Sequence, residues 1–217
     1  MPAQHLTIDF VSDVSCPWCA VGLSSLNQAL ERVRPDITVT LRFQPFELNP
    51  QMWPGGQDIG EHLTEKYGST PEQQKQIREM IRERGAAVGF EFNPDGRGRI
   101  YNTFNAHRLL HWAGAEHPEH QAALKLALLR ACHRDGKVMD DPRVLLEATV
   151  SAGLDEARAR EILSGDEYTQ QVREQQAYYR DAGINSVPAV VFNERHLVSG
   201  GQPVEVYEQV MRDLAAA

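Results

Sequence analysis

Leu6-Thr7-Ile8-Asp9-Phe10-Val11-Ser12-Asp13-Val14-Ser15-Cys16-Pro17-Trp18-Cys19 is the stretch that decides the reading of this chain. Its first half, Leu6 to Val11, is an apolar run of the length expected of a buried strand. Its second half opens a segment with helical spacing, Trp18, Val21, Leu26, Leu30 and Val33. Cys16 and Cys19 therefore stand where a strand turns into a helix. A helix N-terminus leaves backbone N–H groups unpaired and carries partial positive charge. A thiolate placed there is favoured over the thiol, so Cys16 is expected to be the nucleophile, with a lowered pKa. Pro17 suits the first helical turn, where its missing N–H costs nothing. Cys19 falls on the same helix face one turn on. From there it can attack a mixed disulfide held on Cys16 and release the partner.

Two other readings compete for the pair. It could be half of a structural zinc site, which needs two more ligands. Only one further cysteine exists, Cys132, so histidines would have to complete the set. The two thiols could also be inert. A Cys-x-x-Cys at a strand-to-helix turn favours dithiol chemistry over both.

Length and composition suit an ordinary globular protein. The 217 residues, 41% hydrophobic and 24% charged, can bury a core without disulfide staples. No apolar run approaches a membrane span. The opening MPAQHLTIDF has no basic region followed by an apolar stretch, which predicts no export signal and a cytoplasmic protein. Paired cysteines in that compartment are more often catalytic or metal-binding than structural. A net charge of −8 argues against nucleic-acid binding. Arg78, Arg82 and Arg84 are interleaved with Glu79 and Glu83 and read as a solvated helix face.

Three sections follow one another along the chain. The first reads strand, helix, strand: Leu6–Val11, Pro17 to about Val33, then Ile37–Phe43 with Ile37, Val39, Leu41 and Phe43 at period two. A helix joining neighbouring strands is the unit of a parallel sheet. The middle, Ile59 to Tyr179, carries no convincing strand. Its helices are expected over Glu72–Val88, Thr103–Trp112 with an end near Gly114, Pro118–His133, Asp141–Ser151, Asp155–Leu163 and Glu167–Ala182. The last section returns to strands at Ser186–Phe192 and His196–Ser199, turned by Asn193-Glu194, and closes with an amphipathic helix from Val204 to Ala215. The fold class expected is α/β, a thioredoxin-like βαβ…ββα sheet core with an inserted all-helical domain. Residues 1–55 and 180–217 would form the first domain and 56–179 the second, with helix 167–182 at the boundary.

Pro188 opens an apolar strand run. The first residue of a strand is a position where proline is tolerated. The alternative is a cis Val187–Pro188 bond shaping the wall opposite Cys16. His107 and His111 are four apart and share a helix face, a spacing that suits either a metal or an ordinary hydrogen-bonded pair. Cys132, beside Leu128 and Ala131, reads as a small buried hydrophobe, with a third redox role as the alternative. Met52-Trp53-Pro54 reads more simply as core than as a cover over a cleft.

The chain resembles the DsbA family of thioredoxin-like disulfide oxidoreductases, in particular a cytoplasmic subgroup labelled polyketide-biosynthesis disulfide isomerases. That subgroup is related to 2-hydroxychromene-2-carboxylate isomerases and kappa-class glutathione transferases. The resemblance spans essentially the whole chain. It rests on Ser15-Cys16-Pro17-Trp18-Cys19 followed by Gly22, on Gln44-Pro45-Phe46-Glu47-Leu48-Asn49-Pro50, on Asn102-Thr103 and Ala106-His107-Arg108-Leu109, on Ile184-Asn185-Ser186-Val187-Pro188, and on Val198-Ser199-Gly200-Gly201-Gln202-Pro203. It implies a cis peptide at Pro188, with the Val187 backbone pairing with substrate as an added strand. It also implies that Asn102, Thr103 and His107 lie near the cleft, His107 in contact with substrate. The family loop usually reads Gly-Val-Pro; Ser186 here is expected to narrow the groove.

The function expected is thiol–disulfide exchange. Cys16 attacks, Cys19 resolves, Pro17 and Trp18 tune the pair, and Val187 and Pro188 hold the substrate segment. Substrates would be cysteine-containing peptides or proteins, or low-molecular-weight thiols, glutathione among them. No metal or organic cofactor is expected, and no nucleic-acid or membrane partner. Pro17-Trp18 has no ionisable group to stabilise a thiolate, which points to a less oxidising pair than in periplasmic members. A glutathione-dependent isomerase or transferase is the first alternative. Cysteine at both 16 and 19 weighs against it, as does Gly200-Gly201 where the related transferases carry Ser-Asp. A redox-inert peptide- or metal-binding module is the second.

Overall fold

The computed structural model describes residues 4–216. Strand β1 (Gln4–Ser12) leads into helix α1 (Pro17–Val33), which returns to strand β2 (Ile37–Pro45). β1 and β2 run parallel in register from Gln4↔Ile37 to Ser12↔Pro45, as a helical crossover requires. Far along the chain, β5 (Ala189–Phe192) pairs antiparallel with β1, and β6 (His196–Ser199) pairs antiparallel with β5. Asn193 and Glu194, both at positive φ, turn that hairpin. The sheet order is β2-β1-β5-β6.

Between these strands lie β3 (Gln57–Asp58), α2 (Ile59–Tyr67), α3 (Pro71–Ala87), β4 (Arg99–Ile100), α4 (Phe104–Glu116), α5 (Pro118–His133), α6 (Pro142–Ser151), α7 (Glu156–Ser164) and α8 (Thr169–Asp181). Helix α9 (Val204–Ala216) closes the described chain. Ile8 and Phe10 of β1 pack with Leu23 and Leu26 of α1 and with Tyr207 and Met211 of α9 in one core. Val11, Phe46, Tyr179, Ile184 and Ala189 form a smaller core. Helix α8 thereby packs against sheet residues. The helices α4 to α7 build a third core around Trp112.

Four sequence expectations need correction. The middle section is not free of strands, because β3 and β4 pair antiparallel through Gln57↔Ile100 and Asp58↔Arg99. Two residues are too few to show a period. The strand expected from Ser186 begins only at Ala189, after the proline. Helix α4 does not stop at Gly114. That glycine makes room instead: a Cβ there would lie 2.3 Å from the side-chain nitrogen of Gln121. Gln121 accepts from Phe43 N at 3.1 Å and donates to Phe43 O at 3.3 Å, so it fastens α5 to β2. Finally, Trp53 is 55% exposed rather than part of the core, while its neighbour Met52 is buried.

Candidate active site

Cys16 is the N-cap residue of α1 in an extended conformation, and Pro17 occupies the first turn. Its N–H donates to Asp13 O at 3.1 Å, closing the turn that ends β1. The thiol is 4% exposed, whereas Cys19 is fully buried. All three cysteines are free thiols. The Cys19 thiol, hydrogen-bonded to the Cys16 sulfur, pulls the Cys16 pKa below its ordinary value. Burial pushes the other way, the backbone amides of Cys19 and Trp18 add to the lowering, and the Asp13 charge opposes it. Cys19 moves well upward, because it is buried and because its proton serves Cys16. The two thiols are thus shifted in opposite directions.

The opposite wall is the loop before β5. The Val187–Pro188 bond is cis. The Cys16 thiol donates to Val187 O at 3.4 Å. Gly200 N donates to Pro188 O at 2.8 Å, and the buried Tyr207 hydroxyl donates to Gly200 O at 3.1 Å. Gly22 lets this wall approach α1: a Cβ there would stand 3.1 Å from Pro188 Cγ and 3.2 Å from Gly201 Cα. Trp18 is half-buried, and its carbonyl would lie 3.0 Å from a Cβ on Gly201. Ser186 is exposed.

Behind Cys16 lies Asp13, buried and fully engaged. Oδ1 accepts from Ser15 N at 3.0 Å and from Thr103 Oγ1 at 2.8 Å, and Oδ2 accepts from Leu48 N at 2.7 Å. His107 Nε2 stands 3.6 Å from Oδ1, longer than a hydrogen bond, and has no other partner. Burial works against ionising Asp13, but His107 and the Leu48 and Ser15 amides bring its pKa down to about 2. Lys125, a fully buried α5 lysine, is pushed down by burial and drawn back by the charges of Cys19, Asp13, Cys16 and Cys132.

Of the residues the sequence singled out, Cys16, Cys19, Pro17, Trp18, Val187 and Pro188 come together at the end of α1. His107, expected at the cleft, is 2% exposed and stands beside Asp13. Asn102, just before the α4 N-cap Thr103, accepts from Phe104 N at 2.9 Å and donates to Met52 O at 3.4 Å. His111 turns to Gln175 at 3.2 Å, away from His107's partner. Among the described residues no three His, Cys, Asp or Glu side chains are grouped to hold a metal ion. Cys132 is buried, as its apolar neighbours predict. Sequence reasoning missed Asp13, Lys125, Arg97 and Tyr207. An acid three residues before Cys16, at the end of an apolar strand, was the one readable signal among them.

The DSBA-like thioredoxin domain model matches residues 7–212. The chain belongs to this family. Among solved structures, this DsbA-like protein is similar to a probable DsbA oxidoreductase from Streptomyces coelicolor, with 31% identity and a TM-score of 0.88 over 96% of this chain and 89% of that one. The cytosolic disulfide reductase DsbM from Pseudomonas aeruginosa, solved with GSH, shares the fold at 18% identity and a TM-score of 0.67, covering 97% of this chain and 100% of its own. A 2-hydroxychromene-2-carboxylate isomerase shares it at 17% identity and a TM-score of 0.68, over 96% of this chain and 95% of its own. No curated protein matches the chain. No described helix is long and apolar enough to cross a membrane.

Proposed function

We propose that this DsbA-like protein catalyses thiol–disulfide exchange through Cys16 and Cys19. The carrying observation is the placement of the two thiols, Cys16 at the N-cap of α1 beside Val187 O and the cis Pro188, and Cys19 buried one turn further on. The Cys16 thiolate attacks one sulfur of a substrate disulfide. A Cys16–substrate bond forms, the substrate S–S bond breaks, and the departing thiolate takes a proton. Cys19 then loses its proton and attacks the Cys16 sulfur. The second substrate thiol leaves, and the Cys16–Cys19 disulfide holds the oxidised state. The substrate has gained two electrons. The same steps in reverse oxidise a substrate dithiol.

The Val187 backbone beside Cys16 suits a substrate segment that adds as a strand. Cysteine-containing peptides or proteins, and small thiols such as glutathione, fit this chemistry. The dithiol is itself the redox centre, so we assign no metal or organic cofactor. We propose a cytoplasmic setting, like that of the cytosolic DsbM that shares the fold.

The test is a Cys19→Ser variant expressed in cells. It should accumulate reductant-sensitive adducts on Cys16, and Cys16→Ser should trap far fewer. The wild type should turn over a disulfide substrate such as insulin with a thiol reductant. Equal trapping by both variants, with no turnover by the wild type, would return the chain to a binding role.

A further inference from the structure

The turn that presents Cys16 is held from outside itself. Thr103 Oγ1, just before α4, donates to the Asp13 carboxylate at 2.8 Å. His133, the last residue of α5, donates from Nε2 to Val14 O at 2.9 Å. Arg97, in the loop before β4, donates from Nη2 to Ser15 O at 2.6 Å and from Nη1 to Ser15 Oγ at 3.2 Å. The same Nη1 reaches Cys132 Sγ on α5 at 3.0 Å. Each of the three residues before the nucleophile is therefore gripped by the segment between β2 and β5.

Arg97 holds the most informative of these contacts. The Ser15 carbonyl belongs to the same peptide plane as the Cys16 N–H. One side of that plane is fixed by the guanidinium and the other by the Cys16 N to Asp13 O bond at 3.1 Å. Fixing this plane fixes the direction in which Cys16 leaves the backbone. That direction must keep the sulfur in line with the Trp18 and Cys19 amides. A planar fork can hold Ser15 and Cys132 together; an ammonium cannot reproduce that geometry.

We propose that Arg97 is a positioning residue for Cys16, locking the Ser15–Cys16 peptide so that the sulfur meets the helix N-terminus. The proposal deepens the reading of Cys16 as nucleophile. Misplacing a reacting atom by about an ångström can cost up to about a hundredfold in rate. The titratable groups that share an electrostatic influence with Cys16 are Cys19 on α1, Asp13 after β1, Tyr67 at the end of α2, and Lys125 and Cys132 on α5. All of them remain when Arg97 is replaced.

The experiment compares the purified full chain with Arg97→Met, Arg97→Lys and Cys132→Ala. The pH dependence of Cys16 alkylation is the primary readout, with kcat and KM for insulin reduction beside it. Arg97→Met should move the alkylation midpoint upward by about one pH unit and lower kcat about tenfold, with KM within twofold. Arg97→Lys should fall between Arg97→Met and wild type. Cys132→Ala, which keeps the grip on Ser15, should match wild type. A folded Arg97→Met with the wild-type midpoint and kcat overturns the proposal. If Arg97→Met does not fold, Arg97→Lys decides, and a wild-type midpoint there overturns it. Alkylation is read without turnover, so an inactive wild type would sink the oxidoreductase reading and still leave Arg97 judged.

Discussion

The thiol of Cys16 donates to the main-chain carbonyl of Val187 at 3.4 Å, across 171 residues of sequence. A thiolate cannot donate. When Cys16 ionises, the Val187 carbonyl loses its partner and faces a negative sulfur. A substrate N–H placed on that carbonyl supplies the missing donor, so strand-like binding and ionisation favour each other.

The thiols should therefore label in a fixed order. At pH 6 a small alkylating reagent should modify Cys16 well before Cys19 or Cys132, because Cys16 alone is lowered and both others are raised. Peptide mapping by mass spectrometry reads the order. First modification at Cys132 would contradict the burial and the electrostatics together.

Asp13 should make the fold sensitive to acid. Its pKa is held at about 2 against an ordinary 3.8. A carboxyl lowered in the folded state stabilises above its unfolded pKa, and that contribution disappears as pH falls through the folded value. It amounts to about 2 kcal/mol at neutral pH. Asp13→Asn should lower the melting temperature at pH 7 and flatten the stability loss between about pH 4 and pH 2. An unchanged acid limb in denaturant titrations would show that the charge is not what Thr103 and the amides hold.

Lys125 should act on the second step rather than the first. Its charge is the one side-chain influence that lowers the buried Cys19 thiol. Lys125→Met should leave Cys16 alkylation near wild type but lengthen the life of a mixed disulfide on Cys16 several-fold at pH 7. Burying an unpaired ammonium is costly, so the variant should be as stable as the wild type or more so. Single-turnover kinetics with a model mixed disulfide separates the two steps. Equal lifetimes would remove Lys125 from the resolution step.

Gly22 tests how closely the loop wall must approach. Alanine is the better helix former by about 1 kcal/mol. Its methyl group would stand 3.1 Å from Pro188 Cγ and 3.2 Å from Gly201 Cα, so the wall must yield by tenths of an ångström. Gly22→Ala should melt within a few degrees of wild type and lose several-fold in insulin turnover. Full activity with a raised melting temperature would mean that the wall has slack.

The strand-helix-strand opening and the cysteine pair were legible because their signals are local. Period-two and helical spacing lie within a dozen residues, and Cys16 to Cys19 is a single turn. The place of Pro188 at the head of an apolar run left a tolerated strand proline and a cis bond both open, and it was the resemblance to the DsbA family that implied the cis peptide. The grip of Thr103 on Asp13 and of Arg97 on Ser15 was not legible, because each joins distant residues: Thr103 lies 90 residues from Asp13, and Ser15 lies 82 from Arg97. His107 shares a motif with cleft residues, yet its ring turns inward to Asp13. Gly114 looked like a helix stop because glycine usually punctuates; here it clears space for Gln121.

That glutamine has a consequence for the sheet as a whole. β2 is an outer strand, and an outer strand exposes backbone groups that invite another chain to pair. Gln121 satisfies both the N–H and the C=O of Phe43 on that side. A stranger's strand would have to evict it before it could zip along β2. The opposite rim, β6, offers only His196 to Ser199. A side-chain amide, admitted by a missing methyl group at Gly114, thus guards the molecule against edge-to-edge polymerisation.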